Sequence, residues 1–187
     1  MYVKAIGSFL LSAILVFALS LDFHTHAAST TVKYRVLDVG ALDQTTNGMV
    51  RGLNTAGEVV GGSAGLGLGT HAFILTKDRF ENLGGLPASD WSSSHGINEQ
   101  GVVVGSSNTA TSVRAFIWSK GGAPSDLGTL PGDSGSEAFG INRHNETIGF
   151  SSGPNGIEAV LWGADGKIQG LGRLKNGDYS RALAIND

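Results

Sequence analysis

The stretch GINEQGVVVGSS, Gly96 to Ser107, reads as a strand, a tight turn and a second strand. The same phrase stands upstream as GLNTAGEVVGGS from Gly52 and downstream as GINRHNETIGFS from Gly140, and ALAIND, ending at Asp187, begins it again. Asn54, Asn98, Asn142 and Asn186 recur every 44 residues, and so do Gly40, Gly84, Gly128 and Gly172. Val39, Leu83, Leu127 and Leu171 keep the same spacing, as do Leu42, Leu86, Leu130 and Leu174, and the pair Trp118 and Trp162. A period of roughly 20 to 50 residues marks a solenoid, a propeller or a similar array.

Four short strands fit one period. The first is EAFGIN in the third copy, whose alternate columns hold only small residues or valine: Val50, Ser94, Ala138, Ala182, then Gly52, Gly96, Gly140, Ala184. Between them lie a mixed column (Arg51, His95, Phe139, Leu183) and an apolar one (Leu53, Ile97, Ile141, Ile185). Period two with one small face is a strand against which something packs closely. The turn Asn-x-x-Gly follows, closing on Gly57, Gly101 and Asn145. Glycine and asparagine are the residues that best tolerate a left-handed backbone, so this column selects backbone shape, and Asn145→Gly is expected to be neutral or mildly stabilising. The second strand is VVVGSS, the third HAFIL, RAFIW or EAVLW, and the fourth DVGAL, NLGGL, DLGTL or GLGRL.

The totals agree with strands and turns. Of 187 residues, 29 are glycine, 4 are proline and only 16% are charged; abundant glycine with scarce charge suits short strands joined by tight turns. The net charge is −3 with singly scattered lysines and arginines, which argues against nucleic acid or polybasic membrane docking. Cysteine is absent, which excludes a disulfide framework, a thiolate metal site and a cysteine nucleophile. Residues 1–27 read as a signal peptide: Lys4, the apolar run Ala5 to Leu21, then a polar stretch in which Thr25 and Ala27 fill the two positions that cleavage needs small. The alternative is an uncleaved membrane anchor. Either way residues 28–187 are expected to be exported, secreted or periplasmic.

GIN-x-x-G-x-VVG-x-S, then HAF-x-W, then DLGTLPG resembles the bacterial extracellular repeat proteins of the HAF family, so called for their His-Ala-Phe. His71-Ala72-Phe73 matches literally, Arg114-Ala115-Phe116 and Glu158-Ala159-Val160 are degenerate copies, and Asp126 to Gly132 matches in full. The resemblance spans about Val36 to Asp187. It implies a secreted, propeller-like repeat protein and carries over no catalytic residue.

Several motifs point toward chemistry. Gly61 to Gly65 and Gly149 to Gly153 both spell G-x-S-x-G around Ser63 and Ser151, but a nucleophile elbow needs a following helix and a histidine downstream; no helical segment follows either, and no histidine follows Ser151. Gly65 to Gly69 is glycine-rich without opening a helix, so it reads as a variable loop. Asp133 to Glu137 has spaced oxygen ligands of the kind calcium uses, and reads equally as a solvated loop. Asn145-Glu146-Thr147 spells a glycosylation sequon on a tight turn. His71, His95 and His144 occupy different columns and read as packing or surface residues. Trp91, Trp118 and Trp162 could stack on sugars, although Trp118 and Trp162 share a strand column with Leu75 and so read as core.

The resulting expectation is an all-β chain of 44-residue, four-stranded repeats, propeller-like and open as a ring, with a β-trefoil as the alternative. An outer strand at about 32–42 precedes repeats at about 47–86, 91–130 and 135–174, and a partial fourth occupies 179–187. The expected function is a secreted, non-enzymatic binding module for a polysaccharide or protein, without catalytic residue, cofactor or metal; the alternative is a carbohydrate-active or other extracellular enzyme working on a propeller face. The lone strand Ser180 to Asp187 lacks a hairpin partner in sequence. The chain is therefore expected to be a fragment of a longer propeller that self-associates through the Ala182 to Asp187 edge.

Overall fold

The structure, a computed structural model, describes residues 48–65, 68–77 and 79–187. The expected signal segment and the outer strand at about 32–42 lie outside the described residues. The described chain is all-β. Twelve strands form three four-stranded antiparallel sheets, each in simple chain order. The first holds β1 (Gly48–Leu53), β2 (Val59–Gly65), β3 (Leu68–Thr76) and β4 (Arg79–Gly84); the second β5 (Ser92–Ile97), β6 (Val103–Asn108), β7 (Val113–Trp118) and β8 (Ser125–Asp126); the third β9 (Gly135–Ile141), β10 (Thr147–Gly153), β11 (Gly156–Trp162) and β12 (Ile168–Gly172). These three sheets do not close a ring.

Each sheet buries an apolar face against the next. Val60, Ala72, Ile74, Leu83 and Leu86 of the first meet Val103, Phe116 and Trp118 of the second. Val104 and Ala115 of the second meet Ala138, Val160 and Trp162 of the third. A single sheet has two faces and no means of covering either; stacking supplies the cover.

The turn column behaves as its residues demand. Gly57, Gly101 and Asn145 have φ of 80°, 75° and 63°. Their N–H groups donate to the carbonyls of Asn54, Asn98 and Asn142 at 3.0, 3.1 and 3.1 Å. Each of those asparagines also clamps its own turn, its Oδ1 accepting from the N–H of Glu58 (3.0 Å), Val102 (2.9 Å) or Glu146 (2.9 Å). Asn145 is a partial correction to backbone selection alone: its Oδ1 accepts from Asn98 Nδ2 at 2.8 Å, so its side chain does a job glycine cannot.

Hydrogen bonds also tie sheet to sheet at fixed intervals. Ala72 N–H, opposite the register shift in β3, donates to Ser92 Oγ of the next sheet at 2.9 Å; Ala115 donates to Ser136 at 3.0 Å, and Ala159 to Ser180 at 2.8 Å. Burial of these alanines leaves no water for the freed N–H groups, and a serine satisfies each: from the next sheet for Ala72 and Ala115, from the segment after β12 for Ala159.

The fourth strand lies upstream of its expected place. It ends at Gly84, Asp126 and Gly172. The glycines Gly84, Gly128 and Gly172 take φ of 72°, 85° and 83° and turn the chain out of the sheet. Leu86 and Leu130 beyond them then donate their N–H groups to Ser107 and Ser151 of the following sheet, each at 3.0 Å. Ser180 to Asp187 forms no ladder. Tyr179 makes one parallel bridge to Ile157, and Ala182 N–H donates to Gly149 O at 3.2 Å.

Candidate functional site

The mixed column of the first strands is built by bulges. Pairing passes from Val50–Gly61 to Gly52–Val60, from Ser94–Gly105 to Gly96–Val104, and from Ala138–Gly149 to Gly140–Ile148. Arg51, His95 and Phe139 are the residues left without an opposite partner. An extra residue on one strand bends it and re-aims its side chain, which is why bulges recur beside binding sites. The flanking glycines let these strands approach closely: a Cβ on Gly96 would stand 3.1 Å from the Phe139 carbonyl oxygen and 3.3 Å from the Gly140 Cα. The bulged residues therefore come together. The His95 ring stacks on Phe139 with centroids 5.6 Å apart, and Phe139 lies 5.7 Å from Phe150. The Arg181 guanidinium sits 4.4 Å over the Phe150 ring and 5.1 Å from that of Tyr179.

Charge in this cluster is unevenly met. Burial pushes the His95 pKa down to about 4, against the opposing hydrogen bond to Ala138 O, and the Arg51 charge lowers it further. The ring is thus neutral at pH 7, and because its Nδ1 lies 2.8 Å from a carbonyl oxygen, that nitrogen carries the proton. Burial raises the pKa of Glu137, while Arg181 and Arg51 pull it back. Arg51 itself is exposed and forms no ion pair among the described residues.

A cleft of about 550 Å³ opens at the Arg51 end of the cluster, between the first sheet and the start of β5. Arg51, Gly62, Thr70, Trp91 and Ser93 line it. Gly62, Ser106 and Phe150 hold the same register position, opposite Ala72, Ala115 and Ala159. A Cβ on Gly62 would already stand 3.0 Å from Ser93 Oγ and 3.0 Å from Thr70 Cγ2, so the glycine lets these two side chains close in beside it and form the cleft wall. Ser93 is 4% exposed and lines the cleft. A smaller cleft of about 340 Å³ lies beside Phe150, lined also by Glu137 and Ser152.

The residues singled out in the sequence fall mostly elsewhere. Ser63 and Ser151 are fully buried in β2 and β10. Ser151 Oγ accepts from Leu130 N–H and donates to Asp133 Oδ2 at 2.7 Å, a structural bridge closed to any substrate. Gly65 ends β2 and the chain enters β3 at Leu68, with residues 66 and 67 outside the described residues. Asp133 is engaged by Ser151 while Glu137 lies in the bulge cluster, and among the described residues no three His, Asp or Glu side chains group as metal ligands. Thr147 of the sequon is buried. His71 is half-buried with both ring nitrogens unpartnered, and His144 is exposed. Trp118 and Trp162 are core, 4% and 1% exposed, whereas Trp91 lines the cleft.

Arg51, Glu137 and Arg181 were missed as a set. Their signal lay in the columns: in a strand otherwise restricted to small or apolar residues, only the Arg51 and Ser93 columns change charge from copy to copy. Compared with known proteins, the chain matches no protein-family model and no curated protein sequence.

Proposed function

We propose that the chain is a secreted, non-enzymatic binding module whose four-stranded sheets are consecutive blades of a propeller. The cleft at Arg51 carries the binding reading: a ligand-sized space walled by a bulge-positioned cation, an indole and hydroxyls. Its volume falls in the range of roughly 300 to 1,000 Å³ usual for small-molecule sites. No carboxylate lines it among the described residues, so the paired acids of glycoside hydrolysis have no counterpart there. The propeller reading is supported by the separate four-stranded set in each period and by the recurring packing of each first strand on the preceding sheet. A trefoil would draw the strands of its three repeats into one shared barrel.

A glycan array run beside a panel of polysaccharide hydrolysis assays tests the function. Retention of at least one glycan with no release of reducing ends is the expected result. Turnover of any polysaccharide would establish the enzyme alternative instead.

A further inference from the structure

We propose that the Arg51 cleft takes an acidic saccharide, a pyranose carrying a carboxylate or sulfate, with the anionic group on Arg51 and the ring against Trp91. The proposal rests on the binding-module reading and names its ligand class.

Four observations lead there. First, Arg51 is placed by a bulge and left without an ion pair among the described residues, so its planar fork of donors is available to an anion. Second, Ser93 Oγ and Thr70 Cγ2 each stand 3.0 Å from where a Cβ on Gly62 would lie, so a serine and a threonine sit side by side on the cleft wall. Third, Thr70 supplies a second hydroxyl and Trp91 a large aromatic surface, which suits a ligand with one apolar face and many hydroxyls. Fourth, Arg51 and Arg181 both act on the single carboxylate of Glu137, so the field along this column favours an incoming anion. One free cation among the described residues that line a cleft of this size fits a sugar better than a nucleic acid, which needs a row of them.

Isothermal titration of the full chain would use oligogalacturonate, its methyl ester, and a sulfated galactan oligosaccharide beside its desulfated form. At least one acidic oligosaccharide should bind, with its neutral counterpart about tenfold weaker or more, since one charged hydrogen-bonded contact is lost. Arg51→Met, an exposed substitution that leaves the core untouched, should abolish that difference. Gly62→Phe places the third sheet's residue against Ser93 and Thr70 and should abolish binding; Gly62→Ser, the second sheet's smaller residue, should weaken it and serves as the test where Gly62→Phe does not fold. Which acid binds identifies the anionic group. Equal binding of acid and neutral forms would overturn the acidic-ligand inference and leave the binding module standing. Unchanged binding by Gly62→Ser and Arg51→Met would overturn the location. Failure of all four oligosaccharides to bind would overturn the inference alone, because the broader array judges the binding module.

Discussion

The side-chain amide of Asn54 donates to the main-chain carbonyl of Asn98, 3.1 Å away and 44 residues further along the chain. Asn98 repeats the bond to Asn142 O at 3.0 Å, and Asn142 to Asn186 O at 3.3 Å. The second hydrogen of each amide is used as well, by Glu58, Asn145 and Glu146. One residue type thus closes its own turn and fastens it to the next.

Asn98→Ala removes every one of those contacts at a buried position. It should destabilise by about 2 to 4 kcal/mol, because backbone groups of two neighbouring turns lose their partners together. Urea denaturation measures it. A loss below about 0.5 kcal/mol would mean the ladder adds nothing to stability.

Gly101→Val forces a β-branched residue to φ 75° and brings its Cβ to 3.2 Å from Glu58 Oε2. A loss above roughly 1 to 2 kcal/mol is expected. Asn145→Gly relieves the backbone but breaks the bond from Asn98, so a net loss of about 0.5 to 1 kcal/mol replaces the neutrality the turn alone suggests. Thermal melts of the two variants should separate them clearly.

Ser151→Ala leaves the Leu130 N–H without its acceptor and should cost about 1 to 3 kcal/mol in stability. Combined with Ser63→Ala, it should leave any measured esterase activity unchanged. Activity lost in a variant that still folds would contradict the structural role given to both hydroxyls.

His95 has its folded pKa depressed to about 4 from 6.5. Between those values the unfolded chain binds the proton and the folded chain does not. Its contribution to stability is therefore complete above about pH 6.5 and is lost as pH falls toward 4, with a loss on the order of 2 to 3 kcal/mol. Glu137, whose folded pKa is raised, acts in the opposite sense as it protonates and softens the decline. Urea midpoints measured from pH 7 to 4 should fall in the parent and fall less in His95→Gln.

Apolar side chains stay uncovered at both ends of the stack: Leu174 is 86% and Leu183 70% exposed at one, and Leu53 66% at the other. Leu86, one period before Leu130 and two before Leu174, is buried by the sheet that follows it. The segment Ser180 to Asp187 also joins no ladder. Self-association by stacking one copy's third sheet on another's first is expected. Light scattering should show concentration-dependent mass, and Leu174→Lys with Leu183→Lys should reduce it. A strictly monomeric parent would contradict this.

Much of the fold was legible because its constraints are local or periodic. The left-handed turn restricts Gly57, Gly101 and Asn145 whatever surrounds them, and the close approach of first strands restricts Gly52 and Gly96 to the smallest side chain. The fourth strand was misplaced because Leu86 and Leu130 look like strand residues; their burial comes from the neighbouring sheet, after the chain has already turned out at glycine. The cleft was not legible. It depends on a bulge at Arg51, which a strict two-residue alternation hides, and on the packing of β5 on the first sheet, which brings Ser93 beside Gly62 and Thr70.

The most direct test of the binding account is a crystal structure of the protein with an oligosaccharide that it retains. The account predicts density for a sugar ring beside Trp91 and Ser93, with its anionic group paired to Arg51. Density seated instead in the smaller cleft beside Phe150, or away from the first strands altogether, would contradict it.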